Sequence, residues 1–178
     1  MKINKIYIII SIILLVFYSY SCKQNHTQKL LEVFCDAEQT AQGRKYLVSS
    51  DSSFKVLGGY AQSDEQAHSG KFSVKLPGPN SYGMICVLKN VQANDHYQVS
   101  VWRKSENNTG ILVVPDTTHN KIFLTTRKPV EKDKNGWELL KMDVFVPPDF
   151  NEKLKVYVWN NENSVVYFDD LKIVQLPE

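Results

Sequence analysis

The sequence predicts an all-β fold, an antiparallel β-sandwich of jelly-roll form. Three observations predict it: apolar residues recur with a period of two from Glu32 onward, turn signals interrupt them at short intervals, and no segment carries a sustained helical stripe with caps. Many short strands at such spacing suggest a sandwich or barrel.

The first residues stand outside that pattern. Lys2 and Lys5 precede an apolar run from Ile6 to Tyr20, and Ser19-Tyr20-Ser21 leads into Cys22. A run of about 15 residues is shorter than the ~20 that a membrane-spanning helix needs. The basic flank and the small residues before a cysteine resemble a bacterial lipoprotein signal. The expectation is that residues 1–21 are removed and Cys22 becomes the lipidated N-terminus, which places the protein in the cell envelope, anchored to the outer membrane. Residues 22–29, polar from Lys23 to Lys29, read as a tether, and residues 30–178 as one domain.

Within that domain, Phe72, Val74 and Leu76 alternate with Lys71, Ser73 and Lys75. Tyr97, Val99 and Val101 alternate with Gln98, Ser100 and Trp102, and Leu154, Val156 and Val158 with Lys155, Tyr157 and Trp159. Each is a strand with one face in a core. Further strands are expected at 56–62, 83–88, 111–114, 122–126 and 137–146. The turns fall at Gly58-Gly59, Pro77-Gly78-Pro79-Asn80, Asn107-Asn108, Asn135-Gly136, Pro147-Pro148 and Asn160-Asn161.

Charge excludes one class of partner. The formal net charge is +2 with Lys2 and Lys5 included, and the other basic residues are dispersed, so there is no nucleic-acid footprint. Cys35 and Cys86 remain after Cys22, and export permits either a disulfide or two buried thiols.

The last strand carries the sharpest local signal. Val165 to Val174 is aliphatic or aromatic, mostly β-branched, apart from Asp169, Asp170 and Lys172, and a buried unpaired charge costs several kcal/mol. Something upstream must answer those acids. The candidates are Cys35-Asp36-Ala37-Glu38 and the turn His68-Ser69-Gly70-Lys71, which would bring the first and last strands together around a structural cation. Strict alternation would put Asp169 and Asp170 on opposite faces, where they cannot flank one glycosidic bond. The four histidines, His26, His68, His96 and His119, are scattered with no nucleophile motif beside them, so the domain reads as non-catalytic.

The order Cys35-Asp36-Ala37-Glu38, then Ala67-His68-Ser69-Gly70-Lys71-Phe72-Ser73-Val74, then Tyr97 to Trp102, Gly136-Trp137 and Tyr167-Phe168-Asp169-Asp170-Leu171 resembles the carbohydrate-binding modules of families 4, 9 and 22. The resemblance implies a galactose-binding-domain-like jelly roll. It also implies a buried calcium held by Asp36, Glu38, the Gly70 carbonyl and Asp169, a hard-oxygen set that suits this ion. Zinc is disfavoured, since no Cys/His pair has ligand spacing.

In the resembled modules the open face of one sheet is a sugar groove. Trp102, Tyr157 and Trp159, turned away from the core together with Lys104 and Lys155, are the expected ligand-binding residues, with rings stacking on sugars. The opposing possibility is that a loop covers these rings as a second small core. Trp137 reads as a structural plug. The expected partner is therefore a polysaccharide or oligosaccharide, with the membrane reached through the lipid anchor. The alternative is a structural or assembly lipoprotein whose jelly roll binds a protein partner. Asn107-Asn108-Thr109 has the form of an N-glycosylation acceptor, and Asp116-Thr117-Thr118 that of an O-glycosylation site of Bacteroidetes-like bacteria or simply of a turn.

Overall fold

The computed structural model describes residues 30–118 and 121–177, so the signal, Cys22 and the tether lie outside the described residues. Fourteen strands appear in chain order. They are β1 (Glu32–Cys35), β2 (Thr40–Ala41), β3 (Tyr46–Leu47), β4 (Val56–Leu57), β5 (Gln62–Ser63), β6 (Ser73–Leu76) and β7 (Ser81–Leu88). There follow β8 (His96–Ser105), β9 (Ile111–Pro115), β10 (Phe123–Thr126), β11 (Pro129–Lys132), β12 (Glu138–Phe145), β13 (Leu154–Asn160) and β14 (Val166–Leu176). No described helix is long and apolar enough to cross a membrane.

The strands form two antiparallel seven-stranded sheets. The first runs β11-β12-β8-β14-β6-β5, with β1 also on β14, and the second runs β10-β9-β13-β7-β4-β3-β2. Their inner faces close on one core, in which Val74, Cys86, Val99, Val101, Leu112, Val156, Val158 and Phe168 are almost wholly buried. The alternation read from Tyr97–Trp102 and Leu154–Trp159 is kept residue for residue: the odd members of β8 and the even members of β13 are the buried ones. The expected strand over 56–62 is instead broken. Gly58 turns at φ 128, a short 3-10 segment covers Gly59–Ala61, and β4 and β5 end up in different sheets.

The first and last strands do meet. Glu32, Val33, Phe34 and Cys35 pair with Val174, Ile173, Lys172 and Leu171. On the same edge of β14, Val166–Phe168 pair with β6, so the strand changes neighbour in its middle. The change falls on a bulge at Asp169-Asp170, where the register with β8 shifts and Asp170 takes φ 51. The bulge settles a conflict of phase. Val166 and Phe168 face the core, and so do Leu171 and Ile173; without one extra residue between them, Asp170 would enter the core and Leu171 would leave it.

Cys35 and Cys86 are both buried and free, and burial pushes each thiol up to about 12. At one end of the core sits a charge that sequence reading missed. Arg103, 0% exposed on the inward phase of β8, is ion-paired with the buried Glu138 of β12 and donates from Nη1 to the carbonyls of Asn108, Gly110 and Arg127. Asp116-Thr117-Thr118 is a turn: the wholly buried Asp116 accepts from the amides of Thr118, Lys121 and Ile122 at 2.9, 2.6 and 2.8 Å.

Candidate functional site

The sandwich separates the five residues expected to share one sugar surface. Trp102 and Lys104 lie on β8, in the first sheet, and Lys155, Tyr157 and Trp159 lie on β13, in the second. The pair on β8 and the trio on β13 do turn away from the core. They turn away in opposite directions, because each sheet presents its own outer face, so the single groove expected from sequence does not exist.

The outer face at Trp102 is covered by the chain itself. The loop between β5 and β6 lays His68 flat on Trp102, with ring centroids 4.0 Å apart and planes 15° apart, and its edge meets Trp137 at 5.7 Å. Lys104 caps the pile, its Nζ 6.0 Å over the Trp137 ring and bonded to Gln66 Oε1 at 2.8 Å. Trp137, only 1% exposed, is a plug as expected, seated in this small outer core rather than in the main one.

The acids of β14 hold that loop down. Asp169 Oδ2 accepts from the amides of His68 and Ser69 at 2.8 and 3.2 Å, and its Oδ1 accepts from the Asp170 amide. Asp170 takes His68 Nδ1 at 2.6 Å and the Ser69 hydroxyl at 2.7 Å. Alternation placed the two carboxylates on opposite faces; the bulge brings both to the same loop. From the other side, Glu38 Oε1 accepts from the amides of Lys71 and Phe72, each at 2.7 Å. Gly70 lies against the Glu38 carboxyl group with φ 55, so any Cβ there would collide with it.

Three of the four residues expected around calcium, Glu38, Gly70 and Asp169, thus converge on one loop, where the two carboxylates accept from backbone amides. Asp36 is used more locally, accepting from the Glu38 amide at 3.1 Å across the turn that Ala37 makes at φ 59. Among the described residues no three His, Cys, Asp or Glu side chains are grouped to hold a metal. The donors that remain fit calcium in kind, being hard oxygens. Asp169 is 0% exposed and makes no ion pair among the described residues; burial and the adjacent Asp170 push its carboxyl up to about 7.

The second sheet leaves its outer face open. Trp159 of β13 is opposite Tyr82 of β7, the rings parallel within 3° at a centroid distance of 5.9 Å, and Tyr157 leans on Tyr82 at 5.8 Å. A bulge in β7, with Met84 at φ 48, keeps both Gly83 and Met84 inward and so leaves Tyr82 outside. Ile111 and Val113 of β9 lie opposite Trp159 and Tyr157 and form the buried floor beside the rings.

The rings are backed by polar groups. Lys155 Nζ stands 5.8 Å over the Tyr157 ring, and burial, then Tyr82, raises the Tyr157 phenol. The Trp159 indole N–H is shielded and has no hydrogen-bond partner. Tyr60 donates to the Tyr82 carbonyl at 3.2 Å, and beside these two tyrosines opens a pocket of about 620 Å³ that also has Gln62, Glu65, Lys75 and Asn80 in its wall. In the sequence Tyr82, like Tyr60, lies near a turn and could rim a site, though the signal is poor. Its place on the face depends on the β7 bulge, for which Gly83-Met84 was the sole local hint.

No protein-family profile and no curated protein matches the chain. Among solved structures it is similar to the CBM22-1 xylan-binding domain of Xyn10C from Paenibacillus barcinonensis, at 15% identity and TM-score 0.52, over 82% of this chain and 94% of that one. The CBM22-1-CBM22-2 tandem domain of the same Xyn10C gives 15% identity and TM-score 0.53 over 82% of this chain and 46% of that one. A Stig cyclase from Fischerella sp. TAU, in complex with an indole compound, gives 11% identity and TM-score 0.50 over 82% and 84%. At these identities the likeness shows the fold, a jelly roll like that of carbohydrate-binding modules. The same fold also carries a cyclase, so function rests on the site.

Proposed function

We propose that the domain is a non-catalytic module that binds a polysaccharide or oligosaccharide on the outer face of the second sheet. The observation that carries this reading is the parallel Tyr82–Trp159 pair with Tyr157 beside it, on the outward face of the sheet. Flat rings give a sugar its apolar contact. The fold's likeness to carbohydrate-binding modules supports the same reading, and the other aromatic cluster is filled by His68. A carbohydrate array with the wild type and Trp159→Ala tests it. Binding should weaken by about 2 kcal/mol or more in the variant, with little loss of stability. A blank array, or full binding by Trp159→Ala, would overturn the reading.

Calcium and the lipid anchor are separate proposals. Glu38, the Gly70 carbonyl and Asp169 would hold the ion; when bound it supplies the positive charge that buried Asp169 lacks and ties β14 to the 66–72 loop. A melting shift on adding calcium to chelated protein supports it, and identical curves for wild type and Asp169→Ala in calcium and chelator argue against it. Export and anchoring rest on the residues leading to Cys22. Cys22→Ser should abolish labelling by radioactive palmitate; retained labelling removes the lipoprotein reading.

A further inference from the structure

We propose that the ligand of the second sheet's outer face is an acidic glycan, bearing carboxylate or sulfate groups along its chain. The inference rests on the glycan-binding reading of that face and adds the class of polymer. Four adjacent strands carry one row of outward residues. Tyr46 of β3 lies opposite Leu57 of β4, and Leu57 opposite Ile85 of β7. Beyond β7 comes Tyr157 of β13, where the β13–β7 register shifts. Three strand spacings make this row about 14 Å long, enough to seat a stretch of polymer.

Both ends of the row are cationic. Lys155 stands over Tyr157, and at the far end Lys45 and Lys55 stand over Tyr46, their Nζ atoms 5.3 and 5.5 Å from the ring centroid. None of these three lysines makes an ion pair among the described residues. Elsewhere Lys75, Lys121, Lys132 and Lys172 are paired with Glu65, Asp149, Glu138 and Glu32, so the mark of these three is their common place on the row of rings and not the lack of a partner.

A crevice of about 1520 Å³ runs past Tyr46, Leu57, Ile85 and Val87, and it adds Lys89 to the rim. Two acids also line it. Glu32 is held by Lys172 at 2.9 Å, and Asp51 Oδ1 accepts from both the amide and the hydroxyl of Ser53. An ammonium over a tyrosine face sits where a chain lying on the rings would meet it. A neutral sugar leaves those charges unanswered; a carboxylate or sulfate pairs with them at both ends.

The test uses the full chain in affinity electrophoresis through gels holding polygalacturonate, alginate or chondroitin sulfate, against neutral xylan, laminarin and fully methyl-esterified pectin. The expected result is retardation by at least one acidic polymer, with affinity falling about tenfold or more in Lys45→Gln/Lys55→Gln/Lys155→Gln and falling again between 0.1 and 1 M salt, as the screening length shrinks from about 10 to about 3 Å. Trp159→Ala should also lose binding. Retardation by neutral polymers, unchanged in the lysine variant, overturns the acidic class and leaves glycan binding standing. Retardation by poly-glutamate or by phosphatidylglycerol vesicles equal to that by the acidic polysaccharides, and insensitive to Trp159→Ala, overturns both. So does no retardation by any polymer.

Discussion

Asp169 makes stability depend on pH in a way that one substitution isolates. Its carboxyl is wholly buried on the outer side of β14, and burial followed by the neighbouring Asp170 lifts it from the ordinary carboxylate value to about 7. Between about pH 4 and 7 the folded chain therefore keeps a proton that the unfolded chain releases. The stability contributed by this group is complete below about pH 4 and is lost as pH rises through about 7. At ~1.4 kcal/mol per pH unit over that interval, the loss is about 4 kcal/mol. Urea denaturation of the wild type and Asp169→Asn in chelator, from pH 4 to 8.5, measures it. The wild type should lose about 4 kcal/mol more than the variant across the range. Added calcium, if it binds beside Asp169, should flatten the wild-type curve, since a ligand at a hundredfold excess over its Kd contributes roughly 2.7 kcal/mol. Parallel curves for the two proteins in chelator would refute the argument that Asp169 is an uncompensated acid.

Other substitutions probe the remaining parts. Trp137→Ala removes a ring that is 1% exposed and should cost about 3 to 5 kcal/mol of stability in a thermal or urea melt, with glycan binding at the second sheet unchanged in whatever protein folds. Arg103→Ala leaves Glu138 buried without its partner and should cost about 3 to 5 kcal/mol; Arg103→Ala/Glu138→Leu should recover part of that. Gly70→Ala puts a side chain at φ 55 against the Glu38 carboxyl group and should lower stability by about 1 to 3 kcal/mol, whereas Gly78→Ala, with open space around it, should not.

Much of the site was legible one strand at a time. The alternation in β8 and β13 told which residues face inward, and it held. The two acids of β14 demanded partners, and the turn at His68-Ser69-Gly70 supplied them through its amides and side chains. The bulge was missed, because strict alternation was applied to Asp169 and Asp170, although a break in parity marks it: Phe168 and Leu171 both face the core, and they are an odd number of residues apart. Arg103 was hidden because alternation places a side chain on a face without saying that an arginine can be accommodated there; its acceptors come from the 108–110 turn, Arg127 and Glu138, all distant in sequence or outside the strand.

Sequence by itself determined the fold class, the inward and outward members of β8 and β13, and the joining of the first and last strands near the acids. These follow from a period of two and from the cost of an unanswered charge, both of which a short stretch of chain carries within it. Only the tertiary structure decided which outward residues share a surface. Trp102 and Trp159 occupy the same kind of position in the same kind of strand, yet β8 pairs with β12 and β14 while β13 pairs with β7 and β9. Those pairings put a core between the two tryptophans, because a strand's alternation says only which side of its own sheet a residue takes, and the choice of sheet is made by partners far away in the chain.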